Sequence, residues 1–400
     1  MVRRWAGPPR QLERLPFNTN WSTAHPPAIE LAQRLAALAP EGLGKVFFTS
    51  GGSESVEAAW KIARQYHLAN GEEQRRRAIA RRIAYHGVTL GALSFTGVQA
   101  MKEPFGPAPI PVSHVSNTNA YRAADGGDEQ AFCRRLLDEV EQTILAEGPE
   151  TIALLIAEPV QNAGGCLTPP AGYWQGLRKL CDCYGILLAV DEVITGFGRL
   201  GEWFGTSRYD ISPDLLTVAK GLTSAYAPMG AVLVADHVAA PLYEDKRTLL
   251  HGITFGGHPL STTIALKNIE IFERDRVLEN VRALEGHLQR RLEGLRSLPI
   301  VGDVRGAGFF WAVELVQDQA GTPFDAEQRE RLLRGFMAGR LLEAGLIARA
   351  DDRGDAVLQI APPLISDVAV LDQIVEMLGE VLTDAGNLMG VQSNRLAEVA

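Results

Sequence analysis

Cysteine is scarce in this chain: four residues in 400, Cys133, Cys166, Cys181 and Cys183. That excludes a disulfide-built scaffold and reads as free thiols in a reducing compartment. The Cys181-Asp182-Cys183 spacing does not suit a zinc knuckle, and no matching His/Cys pair lies nearby, so no metal site is expected. No apolar run reaches the length that spans a bilayer, so no membrane partner is expected. Basic charge is not in excess: 39 Lys and Arg stand against 48 Asp and Glu, a net of −9. A nucleic-acid surface needs the opposite balance. Met1 to Arg10 carries basic residues without an apolar core behind them, unlike a secretory signal. These absences together point to the cytoplasm. Repeats and low-complexity tracts are also missing, and glycine and proline are scattered as loop punctuation.

What remains is a chain of globular composition, 46% hydrophobic and 22% charged, whose length suits two domains around a large core. Arg75-Arg76-Arg77 with Arg81-Arg82, following Glu72-Glu73, reads as a solvated face between two elements. Short apolar runs at 46–48, 152–157, 186–190 and 215–219 are rich in branched side chains and bounded by turn residues, as buried parallel strands are. Helical spacing lies between them, as in Val56, Trp60, Ala63 and His67. The alternation predicts an α/β fold with helices on a mainly parallel sheet. Beyond about residue 258 the texture changes. A long helix is expected from Leu260 to about Leu295, then a glycine-bearing strand at 304–310, helix, strand and a last helix. The expected organisation is an N-terminal segment (1–28), a large domain (29–260) and a smaller α+β domain (261–400).

Two strand ends carry the chemistry. One apolar strand ends in Asp191 and another in Lys220, twenty-nine residues later, an interval that fits one crossover between neighbouring strands. In open α/β sheets that carboxyl edge is where ligands bind. A lysine amine there can form a Schiff base with a carbonyl cofactor, and a carboxylate can pair with a pyridinium nitrogen. A third segment, Thr49-Ser50-Gly51-Gly52-Ser53-Glu54, follows a strand and opens a helix. Its glycines let backbone approach an anion, and the free N–H groups of the helix start face it, which suits a phosphate monoester. It matches neither a P-loop nor a dinucleotide fingerprint.

With these segments in place, the chain resembles the class III aminotransferases over most of its length, from about Trp21 to about Pro363. The motifs are Phe48 to Glu54, Tyr85-His86-Gly87, Glu158-Pro159-Val160, Asp191 to Arg199, Ala219-Lys220-Gly221, His251 to Phe255 with Gly257-His258-Pro259, and Ala361-Pro362-Pro363-Leu364. The resemblance implies the fold type I architecture of pyridoxal-phosphate transferases and pyridoxal 5'-phosphate as cofactor. It makes Lys220 the cofactor-binding lysine and proton shuttle, and Asp191 the partner of the ring nitrogen. Val193 would pack behind the ring and Tyr85 over its other face. Gly51, Gly52 and Ser53 would hold the phosphate, and Glu158 would lie near the substrate side. His86 reads as a packed or hydrogen-bonded histidine rather than an acid or base. Thr254 would reach the phosphate of a neighbouring subunit, implying a homodimer with shared active sites.

Substrate residues are implied the same way. Arg349, in Gly345-Leu346-Ile347-Ala348-Arg349, stands where ω-amino acid:pyruvate aminotransferases carry a carboxylate-binding arginine. Ornithine-type members have an arginine where this chain has Gln359. Asn20 and Trp21 stand where ω-transaminases place bulky residues beside the substrate. The expected reaction moves an amino group from an ω-amino acid or diamine to pyruvate or another 2-oxo acid. The alternatives are an aminomutase, racemase or decarboxylase on the same scaffold, or an inactive relative. The last arises because family members usually begin a few tens of residues before the point matching Met1-Val2-Arg3-Arg4-Trp5.

Overall fold

The computed structural model describes residues 7–243 and 248–391; Met1 to Trp5, on which the expectation of a shortened start partly rests, lie outside them. One sheet holds β1 (Lys45–Thr49), β2 (Arg77–Arg81), β3 (Val112–Val115), β4 (Ile152–Ala157), β5 (Leu187–Asp191), β6 (Leu215–Val218) and β7 (Gly230–Val234). Their spatial order is β1-β7-β6-β5-β4-β2-β3. The run β6-β5-β4-β2-β3 is parallel throughout, while β7 is antiparallel to both its neighbours. β4, β5, β6 and β7 are buried at every residue, as strands with helices on both faces must be. β5 and β6 are adjacent, with Asp191 opposite Thr217. That register brings the two chemically marked strand ends side by side.

A second sheet, antiparallel, holds β8 (Val301–Ala307), β9 (Phe310–Leu315), β10 (Arg349–Asp351) and β11 (Val357–Ile360), in the order β10-β11-β9-β8. Helices 277–293, 326–343 and 368–389 supply most of the remaining apolar core on that side, through Leu288, Leu332 and Leu378 among others. The expected α/β domain and smaller α+β domain are therefore both present. Glu314, fully buried on β9, joins them by ion pairs with Arg122 and with Arg305, each at 2.5 Å.

Four details differ from the sequence reading. The segment at 46–48 is the antiparallel edge strand β1, only partly buried, because β7 inserts beside it. β2, β3 and β7 were not anticipated: β2 is flanked by arginines and β3 is short and polar. The basic run is a solvated face only in part: Arg76 and Arg82 are exposed, but Arg75 and Arg81 are 7% and 1% exposed. Arg75 donates to the carbonyls of Pro149, Ile152 and Tyr184, and Arg81 to that of Glu158, so backbone oxygens at strand and helix ends offset their burial. Finally, the helix expected from 260 to 295 is two, Pro259–Arg274 and Val277–Glu293, broken where Arg276 takes a left-handed φ of 52°. Ala265, Ile269 and Phe272 of the first pack into the large core, and the second core begins at Val281.

Candidate active site

Lys220 stands two residues beyond the end of β6. Ala219 leaves the strand with φ −160° and ψ −137°, and Lys220 turns with φ +28°. A non-glycine residue there costs on the order of 1–3 kcal/mol, a strain that persists where surrounding structure imposes it. Buried β6 on one side and the Asn268 side chain, donating to the carbonyls of Gly221 (2.8 Å) and Leu222 (3.1 Å), on the other impose it here. The turn swings the Lys220 side chain off the strand line into a cavity also lined by Gly52, Ser53, Tyr85, His86, Glu158, Asp191 and Val193. Solvent reaches the lysine through the cavity mouth, but protein surrounds it. That partial desolvation lowers its pKa, and nearby Arg353 adds to the effect, while Asp191 and Glu158 oppose it.

Asp191 ends β5 and is 5% exposed. Its Oδ1 accepts from the Val193 N–H and the Thr217 hydroxyl, both at 3.1 Å. Its Oδ2 lies 2.8 Å from His86 Nδ1; a carboxylate only accepts, so Nδ1 carries the proton. Burial alone would raise this pKa. The His86 hydrogen bond and charge, the Val193 N–H and Lys220 outweigh it and hold the carboxyl below its ordinary range. An ionised carboxylate offers about four lone-pair directions. Three are used, which leaves one on Oδ2 for a further donor.

The glycine-serine segment behaves as a helix start without a side-chain cap. Gly51 is the N-cap of helix Gly52–Ala69 and no side chain satisfies its first turn. The free N–H groups at the start of this eighteen-residue helix are where an anion could be held. Glu54 turns back to accept from the Ser50 N–H at 2.7 Å, and Ser53 Oγ accepts from the Val88 N–H at 3.1 Å. A side chain at Gly52 would press on Val193 at 3.0 Å, so the cradle and the residue after Asp191 are in contact. Glu158 is 4% exposed; Oε2 accepts from the Asn162 N–H at 2.9 Å, and among the described residues Oε1 has no partner. Burial pushes its pKa up, opposed by His86 and Arg81.

The structure thus brings Gly52, Ser53, Tyr85, Glu158, Asp191, Val193 and Lys220 to one cavity, with Gly51 at its helix start. A second cavity, with Lys220 on its wall as well, opens between the two sheets and includes Arg349, 56% exposed in its side chain. Trp21 and Thr254 line neither. Asn20 Nδ2 donates to the carbonyls of Gly256 (3.0 Å) and Gly257 (3.3 Å), and His25 Nε2 lies 2.7 Å from the latter. The indole of Trp21 lies against Gly252, where no side chain would fit. Trp21 and Thr254 therefore share one exposed surface with Phe17 and Phe255.

Sequence reading missed the partners that set this geometry. The contact of His86 with Asp191 spans 105 residues and Thr217 sits mid-strand, so spacing signals neither. Nothing in the sequence singles out Arg353, whose side chain is 8% exposed and whose guanidinium carbon lies 5.5 Å from the centre of the Tyr85 ring.

Fold and site together place one lysine beside a buried carboxylate and an uncapped helix start. Residues 10–382 match the family model described as aminotransferase class-III, and the chain belongs to that family. It is similar to a probable aminotransferase of Mycobacterium tuberculosis, 48% identical over 378 residues that cover 94% of this chain and 81% of that protein. It is also similar to a putrescine–pyruvate aminotransferase of Pseudomonas aeruginosa, 39% identical over 93% of this chain and 81% of that one. Among solved structures, an (S)-enantioselective omega-transaminase of Thermomicrobium roseum superposes with a TM-score of 0.90 at 42% identity, covering 95% of this chain and 84% of the other. The protein is a class III aminotransferase of the fold type I architecture.

Proposed function

We propose that this enzyme uses pyridoxal 5'-phosphate to move an amino group from a terminal amine, an ω-amino acid or diamine, to pyruvate or another 2-oxo acid. The observation that carries the reading is the one open lone pair of Asp191, in the same cavity as Lys220 and the uncapped helix start. Those three features fit the ring nitrogen, the aldehyde and the phosphate of that cofactor. The orphan Oε1 of Glu158 and the orphan Nε2 of His86 also mark the site as built for polar groups. When bound, the cofactor supplies an aldehyde for the substrate amine and a protonated ring that draws electrons from the reacting carbon.

The protein's own residues do the rest. Asp191, kept anionic by His86, Val193 and Thr217, holds the ring nitrogen protonated. The N–H groups of the 52–69 helix start and the Ser53 hydroxyl hold the phosphate. Val193 and Tyr85, both on the cavity wall, would offer the ring an aliphatic and an aromatic surface. Lys220, whose pKa desolvation lowers, would be the group that takes a proton from the substrate carbon and returns it one position away. Arg349 at the rim of the wider cavity suits a carboxylate at the far end of a substrate. The names of the relatives, with putrescine and pyruvate among them, support the donor and acceptor classes.

Two further readings belong here. Thr254 is exposed and outside the cavity of its own chain, on a surface carrying exposed Phe17, Trp21 and Phe255. That supports a homodimer in which Thr254 completes the partner's phosphate site. Four cysteines, all free, support a reducing cytoplasmic setting, and among the described residues no helix is long and apolar enough to cross a membrane.

The test is spectroscopic. Purified holoprotein mixed with a diamine or ω-amino acid, with no oxo acid present, loses its visible cofactor absorbance, and pyruvate restores it. Lys220→Ala abolishes the cycle while keeping the fold. An unchanged spectrum with every terminal amine would sink the reading.

A further inference from the structure

Beneath the anion cradle lies a pair of hydroxyls, Thr49 and Ser55, to which the resemblance gives no role. Thr49 ends β1, and Ser55 stands on the helix Gly52–Ala69, two residues beyond Ser53. Two residues turn roughly 200° about a helix axis. Ser53 therefore lines the cofactor cavity while Ser55 reaches the opposite way, to the sheet. Both hydroxyls are buried, and their oxygens lie 2.7 Å apart. Ser55 Oγ is also 3.2 Å from the Val218 carbonyl and 3.1 Å from that of Gly51, which Thr49 Oγ1 approaches to 3.2 Å. Gly51 caps the cradle helix, and Val218 ends β6, two residues before Lys220.

A glycine makes room for the pair. Gly230 of β7, the strand between β1 and β6, stands opposite Thr49 in the register. A side chain there would meet Thr49 Oγ1 at 2.5 Å, Ser55 Oγ at 2.6 Å and the Gly51 carbonyl at 2.9 Å. Two hydroxyls carry two protons. If Ser55 donates to Thr49, the Thr49 proton goes to the Gly51 carbonyl and β6 is left out. If Thr49 donates to Ser55, the Ser55 proton is free for the Val218 carbonyl. Only the second order ties the helix start to the lysine strand, and hydroxyls bonded in series polarise one another.

We propose that Thr49 and Ser55 are positioning residues that fix the span between the anion cradle and Lys220, so that one phosphorylated aldehyde engages both. The proposal rests on the pyridoxal-phosphate reading and deepens it. Neither residue lines the cavity, so both act at one remove, through the Gly51 end of the helix and the Val218 end of β6. A ligand that engages two sites at once binds far more tightly than either half, provided the sites are held at the matching separation. Loosening the clamp costs that joint binding and leaves each half-site as it was.

The experiment titrates the full-length apoprotein with three ligands: pyridoxal 5'-phosphate, inorganic phosphate, which needs the cradle alone, and pyridoxal, which needs Lys220 alone. Thr49→Val, which keeps the shape and removes the hydroxyl, and Ser55→Ala each raise the Kd of pyridoxal 5'-phosphate about tenfold, the scale of one or two lost hydrogen bonds. Both change the Kd of inorganic phosphate and of pyridoxal by less than about threefold, and these unchanged half-sites report an intact fold. Thr49→Ser, which keeps the hydroxyl, binds all three as the unaltered protein does. Undiminished pyridoxal 5'-phosphate affinity in Thr49→Val and Ser55→Ala overturns the proposal, because no clamp was lost. An equal loss of inorganic phosphate overturns it too, because the cradle itself was damaged. Failure of the cofactor reading is distinct: the unaltered protein then binds pyridoxal 5'-phosphate no better than pyridoxal, which overturns both.

Discussion

His86 Nδ1 and Asp191 Oδ2 lie 2.8 Å apart, both buried, one at the end of β2's connection and the other at the end of β5. The histidine is the principal reason a nearly inaccessible carboxylate has a pKa below its ordinary value of 3.8 rather than above it. Hydrogen bonds to charged groups contribute about 1.5–3 kcal/mol. His86→Leu therefore lowers turnover by roughly 10- to 150-fold, and the acid limb of its pH profile moves to higher pH as the Asp191 pKa climbs. The linkage sign follows. A folded-state pKa below the unfolded one contributes stability that is present above the unfolded value and lost as pH falls through the folded one. The stability gap between the two proteins is thus widest near neutrality and closes on acidification. Denaturation midpoints across that range measure it; a gap constant with pH would show that His86 acts by packing alone.

Lys220 gives a second pH prediction. Desolvation inside the cavity lowers its pKa from the ordinary 10.5, and a lysine captures an aldehyde only as the neutral amine. The rate at which apoprotein takes up pyridoxal 5'-phosphate rises with pH to a midpoint below 10.5. Glu158→Gln removes an anion that favours the charged lysine and moves the midpoint lower still. Arg353→Gln removes a cation and moves it higher. Stopped-flow absorbance reads all three, and shifts of the same sign in both variants would refute the electrostatic assignment.

The phosphate cradle depends on a glycine outside it. Gly87 has φ +121°, and a side chain there would collide with Ser53 Oγ and Cα. Gly87→Ala costs about 1–3 kcal/mol in backbone strain. It also displaces the serine hydroxyl from the Val88 N–H and from the phosphate position. The expected outcome is a cofactor Kd raised at least several-fold with substrate KM little changed, measured by reconstitution titration. Unaltered cofactor affinity would remove Ser53 from the phosphate site.

These contacts mark the limit of what residue order reveals. β4, β5 and β6 were legible because strands buried on both faces must be apolar at every position, and their ends exposed Asp191 and Lys220. β2 was illegible because Arg75 and Arg81 look solvated in sequence; only carbonyls from 149 to 184 make their burial tolerable. The break at Arg276 carries no glycine or proline to announce it. In the site, Lys220 and the glycine-serine cradle sit in local motifs, whereas His86, Thr217 and Arg353 act on groups brought close only by strand order or by the packing of the second sheet on the first. Local chemistry was readable, and its electrostatic tuning was not.

Thr254 gives the sharpest test of the shared site. It is exposed in its own chain, while Lys220 is in the cavity. If each active site takes Lys220 from one protomer and Thr254 from the other, two different defects complement one another. Thr254→Glu places a negative charge against the partner's phosphate and empties that site; Lys220→Ala disables its own. Each homodimer is inactive. In a heterodimer of the two, one site has both defects and the other has neither. Unfolding and refolding an equal mixture therefore restores about a quarter of the sites, because half the dimers are mixed and each has one intact site of two. The recovered activity has the KM of the unaltered enzyme, since the intact sites are chemically unchanged. No recovery, with mixed dimers verified by mass, would place Thr254 outside the partner's site.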